Sequence, residues 1–358
     1  MRALVRRGED LGFDMVVCPD HIVFPKDISS PYPYNEQQVH PGTAGGACLD
    51  QLTVLAFIAG QTTTLRLGTS VMIVPHRNPI VAAKALATLD VLSNGRVTLG
   101  VGAGWLREEF EALDLPSFDE RGAVTDEYIR AFIELWTSDD PVFEGKYINF
   151  SNIHFLPKPV QKPHIPIWVG GESNRAIRRA ARMGNAWHPV GTNPGFPLGT
   201  PELLKASMDR LAARTEREGR DPKDVEVAFR VSTFDPNSDG TDGIPFAGPP
   251  DKVAEDIRSY EAIGVTNLIF DFGGVASSKA GDPAISSPCK KRWHYGSGLR
   301  SKNRPQMSPR SIIGSGHSMR IKGLISSKTL GQSYADWISC FKDGLGMVYG
   351  TKPAIIWQ

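Results

Sequence analysis

Apolar residues along this chain follow two alternating patterns. Short unbroken runs rich in β-branched residues read as strands: "MVVCPD" (15–20), "RLGTSVMIV" (66–74), "VTLGVGAG" (97–104), "PIWVGG" (166–171), "AWHPV" (186–190), "EVAFRVST" (226–233) and "NLIFDFGG" (267–274). None alternates polar with apolar, which marks strands covered on both faces, as in a parallel sheet. Helical spacing separates them. Val81, Ala85, Leu89 and Leu92 follow "NP", where Asn78 can cap and Pro79 suits a first turn; Val253, Ile257 and Tyr260 follow Asp251. Gly12, Gly95, Gly184 and Gly264 stand where each helix turns into the next strand, as a left-handed helix end requires. Seven strands alternating with helices in one sense predict an α/β fold, a TIM (β/α)8 barrel. Residues 1–11 already read as a helix with Leu4, Val5 and Leu11 inward, so the first strand of such a barrel is missing. The segment "GKYINFSNIHFLPKPVQKPHIP" (145–166) predicts an inserted hairpin and then an extended, proline-rich lead.

Composition changes the picture only at the far end. With 358 residues, 41% hydrophobic and 22% charged, the chain can bury a large core. Cys18, Cys48, Cys289 and Cys340 are scattered without a C-x-x-C, which argues against a disulfide framework or a metal site and fits a reducing, cytoplasmic location. There is no apolar leader and no run long enough for a membrane span. Residues 276–358 carry 13 Lys/Arg against three acids, whereas the remainder is net acidic. That shift divides a barrel domain at 1–275 from a basic, Ser/Gly-rich tail at 276–358, expected to be irregular and dispensable for cofactor binding. The tail lacks aromatic–basic interleaving, which argues against nucleic acid as a partner. Its only short β-branched runs, "SIIG" (311–314) and "PAIIWQ" (353–358), are candidates to fill an open barrel edge.

The glycines of "RVTLGVGAGW" suggest a dinucleotide loop, but Trp105 stands where the third glycine belongs. They read instead as a floor against which a flat ring could lie. In a barrel of this kind the site is at the carboxyl ends of the strands. Those ends carry Asp20 and His21, Ser70 and Val71, Gly102, Ala103 and Gly104, then Gly170, Gly171, Glu172 and Ser173, and finally Trp187 and His188. "VGGESNRAIRRAARMG" is a strand, two glycines and a helix opening, which offers free N–H groups to an anion, with Arg175, Arg178 and Arg179 nearby. Its plainer reading is a glycine turn capped by Ser173 or Asn174. His21 is the leading general acid/base, the alternative being a turn histidine paired with Asp20. His188 is a second catalytic candidate or a wall residue. His76 and Arg77 read as helix-entry residues, and Glu108 and Glu109 as exposed helix acids.

Four segments, "EDLGFDMVVCPDH", "LRLGTSVMIVPHRNPIVAAKALATLDVLSNGRVTLGVGAGW", "ERGAVTDEYI" and "PKPVQKPHIPIWVGG", resemble the bacterial-luciferase-like superfamily, specifically its deazaflavin (coenzyme F420)-dependent branch. The resemblance spans residues 1–274. It implies a TIM barrel that binds F420, or alternatively FMN, at the strand carboxyl ends, with the phosphate at residues 170–173. It implies a non-prolyl cis peptide at Ser70–Val71 behind the ring, and homodimers formed through helices outside the barrel. Some members carry an acid where Trp105 stands here. The implied activity is hydride transfer between F420 and a small organic substrate. An FMN-dependent monooxygenase is the enzymatic alternative, and a non-catalytic, truncated member with a polyanion-binding tail is the other.

Overall fold

The computed structural model describes residues 1–40, 48–235, 238–270 and the backbone of 354–356. Helix α1 (Arg2–Asp10) leads into β1 (Met15–Cys18), then α2 (Gln51–Ala59), β2 (Arg66–Thr69), β3 (Met72–Ile73) and α3 (Pro79–Leu92). Strand β4 (Val97–Gly102), α4 (Arg107–Ala112) and α5 (Arg121–Thr137) follow. A hairpin, β5 (Phe143–Glu144) with β6 (Asn149–Phe150), then precedes β7 (Ile167–Gly170), α6 (Asn174–Met183) and β8 (Ala186–His188). The chain continues through α7 (Pro201–Arg217), β9 (Glu226–Val231), α8 (Pro250–Ala262) and β10 (Asn267–Phe270), and β11 (Ala354–Ile356) comes last.

Every strand run read from the sequence is present, and every pairing in the main sheet is parallel. The strand order is β2-β1-β11-β10-β9-β8-β7-β4-β3, and β2 also pairs with β4, so the sheet closes on itself. The position next to β1 expected to be vacant is occupied. Strand β11 pairs Ala354 with Met15 on one side and with Ile269 of β10 on the other. Of the two candidate fillers, Ala354–Ile356 within "PAIIWQ" takes the place beside β1, while "SIIG" and the rest of the tail lie outside the described residues.

Burial explains why the strands lack alternation. All four residues of β1 and the first five of β4 are buried, against the barrel interior on one face and helices on the other. Helix α3 starts as read: Asn78 accepts from the amides of Ile80 and Val81, and Pro79 occupies the first turn. At the amino-terminal end of the barrel, the Arg96 guanidinium donates to the carbonyls of Ala59, Thr62, Leu65 and Ser93 and ties α2 and α3 to β4. The Glu9 carboxylate accepts from the amides of Thr63, Thr64 and Leu65, anchoring α1.

The β2–β3 strand carries the one irregularity that shapes the site. Gly68 pairs with Thr98, yet Met72 pairs with Val101, so this strand spends one residue more than its partner. That is a bulge, and within it the Ser70–Val71 peptide is cis.

Candidate active site

The strand carboxyl ends open onto a cavity of about 990 Å³, a size suited to a cofactor and a small molecule. Asp20, His21, Ser70, Val71, residues 102–104 and 170–173 and His188 line it, whereas Trp187 is fully buried. The partners of several of these side chains differ from those expected.

The floor is built by the bulge. A Cβ on Gly102 would lie 2.5 Å from Val71 Cγ2, and one on Gly170 would lie 2.9 Å from Val71 Cγ1. A Cβ on Gly100 would meet the Thr69 carbonyl oxygen at 2.0 Å. These glycines clear room for the bulge, so that Val71 joins Gly102, Ala103, Gly104 and Gly170 in lining the cavity.

His188 holds this floor from behind. Its Nδ1 lies 2.6 Å from the Ala228 carbonyl, which can only accept, so Nδ1 carries the proton. Nε2 then accepts from the Ser70 hydroxyl at 2.9 Å. Burial depresses the imidazole to about 4, the Ala228 bond acting the other way. With both nitrogens engaged and the ring depressed below its ordinary value, His188 has the geometry of the wall residue that is the alternative reading of its sequence position.

Asp20 is likewise committed to the protein. Its Oδ2 accepts from the Ile73 amide (2.9 Å) and Arg77 Nη1 (2.6 Å), and its Oδ1 from Arg77 Nη2 (2.8 Å). Arg77 is thus the counter-charge of a buried carboxylate rather than a helix-entry residue. Asp20 braces the strand leaving the bulge, and its oxygens are occupied by protein donors at the cavity edge.

At the other end of the floor, Gly171 takes φ +101°, a conformation that side-chain-bearing residues rarely adopt. Its carbonyl accepts from Trp187 Nε1 at 2.8 Å. Ser173 caps α6 by accepting from the Ala176 amide at 3.2 Å. The earlier amides of that first turn have no acceptor within the helix. The Glu172 carboxylate turns away, accepting from the Val190 amide (2.9 Å) and Asn193 Nδ2 (2.8 Å). Burial raises its pKa, with those two bonds opposing. With Glu172 turned away, what residues 170–173 can offer an anion is main-chain N–H and the Ser173 hydroxyl, whose oxygen caps the helix but whose proton is still free to donate. Arg179 is tied to Asp126 and the Gly122 carbonyl. Arg175 is exposed, and at the rim Arg121, which donates to the Gly104 and Phe118 carbonyls, and Arg107, which is paired with Asp119 at 2.7 Å, lie over the Phe118 ring at 3.8 and 4.5 Å.

The roof is aromatic. Trp105 stacks with His40 (centroids 5.8 Å, 13°), Tyr32 meets Trp105 edge-on at 5.2 Å, and Phe24 lies 4.3 Å from His21. His21 Nδ1 is 2.7 Å from Glu109 Oε2, so its partner is Glu109 and not Asp20. Glu109 is fully buried, and its Oε1 accepts from the amides of Ile22 (2.7 Å) and Val23 (3.2 Å). Burial works to raise this carboxyl, but the bond from His21, the nearby histidines and the Ile22 amide hold it below the ordinary carboxylate range. His76 Nδ1 stands 3.8 Å from Glu109 Oε1. Glu108 binds the Ser29 amide and hydroxyl and the Ser30 amide. Neither acid is the idle helix acid expected. The only sequence hint was that both open a short helix immediately after the cavity loop.

Among the described residues no cluster of three or more His, Cys, Asp or Glu could hold a metal. No helix among them is long and apolar enough to cross a membrane.

Comparison with known proteins places this geometry. The family model for luciferase-like monooxygenases matches residues 1–239. An uncharacterised protein of Mycobacterium tuberculosis is 30% identical over 283 residues, covering 79% of this chain and 89% of that protein. The FMNH2-dependent dimethylsulfone monooxygenase of Pseudomonas putida is 34% identical over 157 residues, 43% of this chain and 41% of the enzyme. In fold, the chain is similar to a monooxygenase from Streptomyces bottropensis (TM-score 0.59, 24% identity, 74% of this chain and 82% of that one). It is also similar to an F420-dependent secondary alcohol dehydrogenase bound to an F420–acetone adduct (TM-score 0.58, 19% identity, 74% and 86%).

Proposed function

We propose that this chain, which belongs to the luciferase-like monooxygenase family, transfers a hydride between coenzyme F420 and a small, uncharged organic substrate. The observation that carries the reading is the cradle: a bulge seated on glycines, flanked by a helix opening at one end and roofed by His21. Val71 would support one face of a flat ring. The amides at the start of α6 would hold the phosphate, and Arg175 with Arg121 favours a tail carrying further negative charge. Bound there, a deazaflavin supplies two-electron hydride chemistry without a flavin's oxygen reactivity. His21, with its side chain 11% exposed, would hold or take a proton on Nε2. Trp105, His40 and Tyr32 exclude water and present π faces, while the nearby carboxylates of Asp20, Glu108 and Glu109 are already engaged. That lining favours an uncharged, apolar or aromatic substrate.

Separate titrations with F420 and FMN, followed by ring absorbance, test the reading. F420 binding, with substrate-dependent reduction and no oxygen uptake, is expected. FMN binding with oxygen consumption by the reduced protein would favour the monooxygenase alternative. Failure of both cofactors to bind would overturn a redox role altogether.

A further inference from the structure

We propose that Glu109 is a positioning residue that fixes which nitrogen of His21 carries the proton and so leaves Nε2 free to accept one, an inference that rests on His21 being the proton-handling group. The geometry leaves little choice. Ile22 and Val23 present backbone N–H groups to Oε1, and a backbone N–H can only donate. The other oxygen, Oε2, is 2.7 Å from His21 Nδ1. An ionised carboxylate has no proton to give, so the neutral imidazole must carry its proton on Nδ1. That leaves Nε2 as a lone pair directed away from Glu109, in a ring that lines the cavity. The same carboxylate thereby pins the loop that carries His21 and sets the proton-accepting edge of its ring. The other groups around the pair do not replace Glu109. The His40 ring is 5.4 Å from His21, Asp20 is neutralised by Arg77, and His76 lies beyond Oε1 at 3.8 Å.

Glu109→Gln separates this role from simple bulk. The two backbone donors hold the new amide oxygen in the Oε1 position, so the amide NH2 must face Nδ1. His21 Nδ1 then has to accept, and its proton moves to Nε2, the wrong edge for a base. The corresponding loss in a hydrolytic triad, where an orienting carboxylate is replaced by its amide, is about 10⁴-fold in kcat.

The test reads the tautomer first. In 15N-labelled protein without cofactor, at a pH where the imidazole is neutral, the His21 nitrogens are assigned by their disappearance in His21→Ala. We expect Nδ1–H in the wild type, Nε2–H in Glu109→Gln, and Nδ1–H again in Glu109→Asp, which keeps the carboxylate. Turnover of the F420-loaded protein should fall about 10²- to 10⁴-fold in Glu109→Gln with cofactor affinity within about twofold, and recover in part in Glu109→Asp. Wild-type His21 protonated on Nε2, or an unchanged tautomer in Glu109→Gln, overturns the proposal. Should Glu109→Gln not fold, the wild-type and Glu109→Asp tautomers decide alone. A His21→Ala protein with normal turnover would instead defeat the role given to His21, whatever the tautomer shows.

Discussion

Replacing Gly102 with alanine tests the cradle where its geometry is tightest. The new Cβ would stand 2.5 Å from Val71 Cγ2, with Val71 Cβ next at 3.5 Å. Carbon atoms rest comfortably at ~3.5–4.0 Å, so Val71 has to retreat by roughly 1 Å, and with it the bulge that faces the cavity. Overpacking of this kind costs about 1–3 kcal/mol. Loss of glycine's freedom in the unfolded chain returns about 0.4–1 kcal/mol, which leaves a net destabilisation of about 1–2 kcal/mol. Val71→Ala removes the clashing methyl and leaves only the ordinary contact. At about 0.8 kcal/mol per buried carbon, it costs about 1 kcal/mol alone at this half-buried position. The pair should therefore couple favourably by about 1–2 kcal/mol in a double-mutant cycle. Gly100→Ala supplies the control, because its Cβ meets the Thr69 carbonyl oxygen at 2.0 Å and no side-chain truncation relieves a backbone clash. Denaturant unfolding of the single and double variants gives the energies, and cofactor titration gives the effect on the cradle. Gly102→Ala within about 0.5 kcal/mol of wild type, or Val71→Ala rescuing Gly100→Ala equally well, would refute the packing described here.

The His188 imidazole is depressed from 6.5 to about 4, so between those values the unfolded chain binds the extra proton. Its contribution is complete above pH 6.5 and is lost as pH falls towards 4, at about 1.4 kcal/mol per pH unit and about 3 kcal/mol in all. His76, also depressed, chiefly by burial, acts in the same direction. Unfolding free energy measured against pH should have a slope smaller by about one proton in His188→Gln; an unchanged slope would mean that His188 is protonated in the folded protein. Deleting residues 354–358 removes β11 and leaves β1 and β10 with unpaired inner edges. A lower thermal midpoint and aggregation are expected, whereas an unaltered midpoint would show that this strand does not hold the barrel closed.

The strands and helices were legible because a parallel barrel writes burial directly into sequence. Strands covered on both faces become unbroken apolar runs such as Met15–Cys18, and helix entries carry their caps, as Asn78 and Pro79 do. The closing strand was less so. "PAIIWQ" is too short to distinguish from any other β-branched run, and its partners, β1 and β10, lie far from it in sequence. Periodicity reports which way a residue faces within its own element. It carries nothing about which distant edge that element will join.

The same limit explains which site residues could be placed and which roles could not. Strand ends put Asp20, His21, Ser70 and His188 around one cavity, and the structure has them there. What each does depends on a partner chosen across the barrel: Arg77 for Asp20, 57 positions away, Glu109 for His21 at 88, and Ser70 for His188 at 118. Those choices follow from charge and satisfaction. A buried carboxylate requires a donor, so Asp20 and Arg77 hold each other, and neither is left for His21. A buried imidazole between a carbonyl and a hydroxyl is held neutral, so His188 can support the floor but cannot exchange protons with a ligand. His21 lines the same cavity with Nδ1 held by its buried neighbour Glu109, and on the role proposed above Glu109 decides which of its nitrogens carries the proton. On the proposed role of His21, its protonation is set by an acid, Glu109, that composition and spacing assign to solvent.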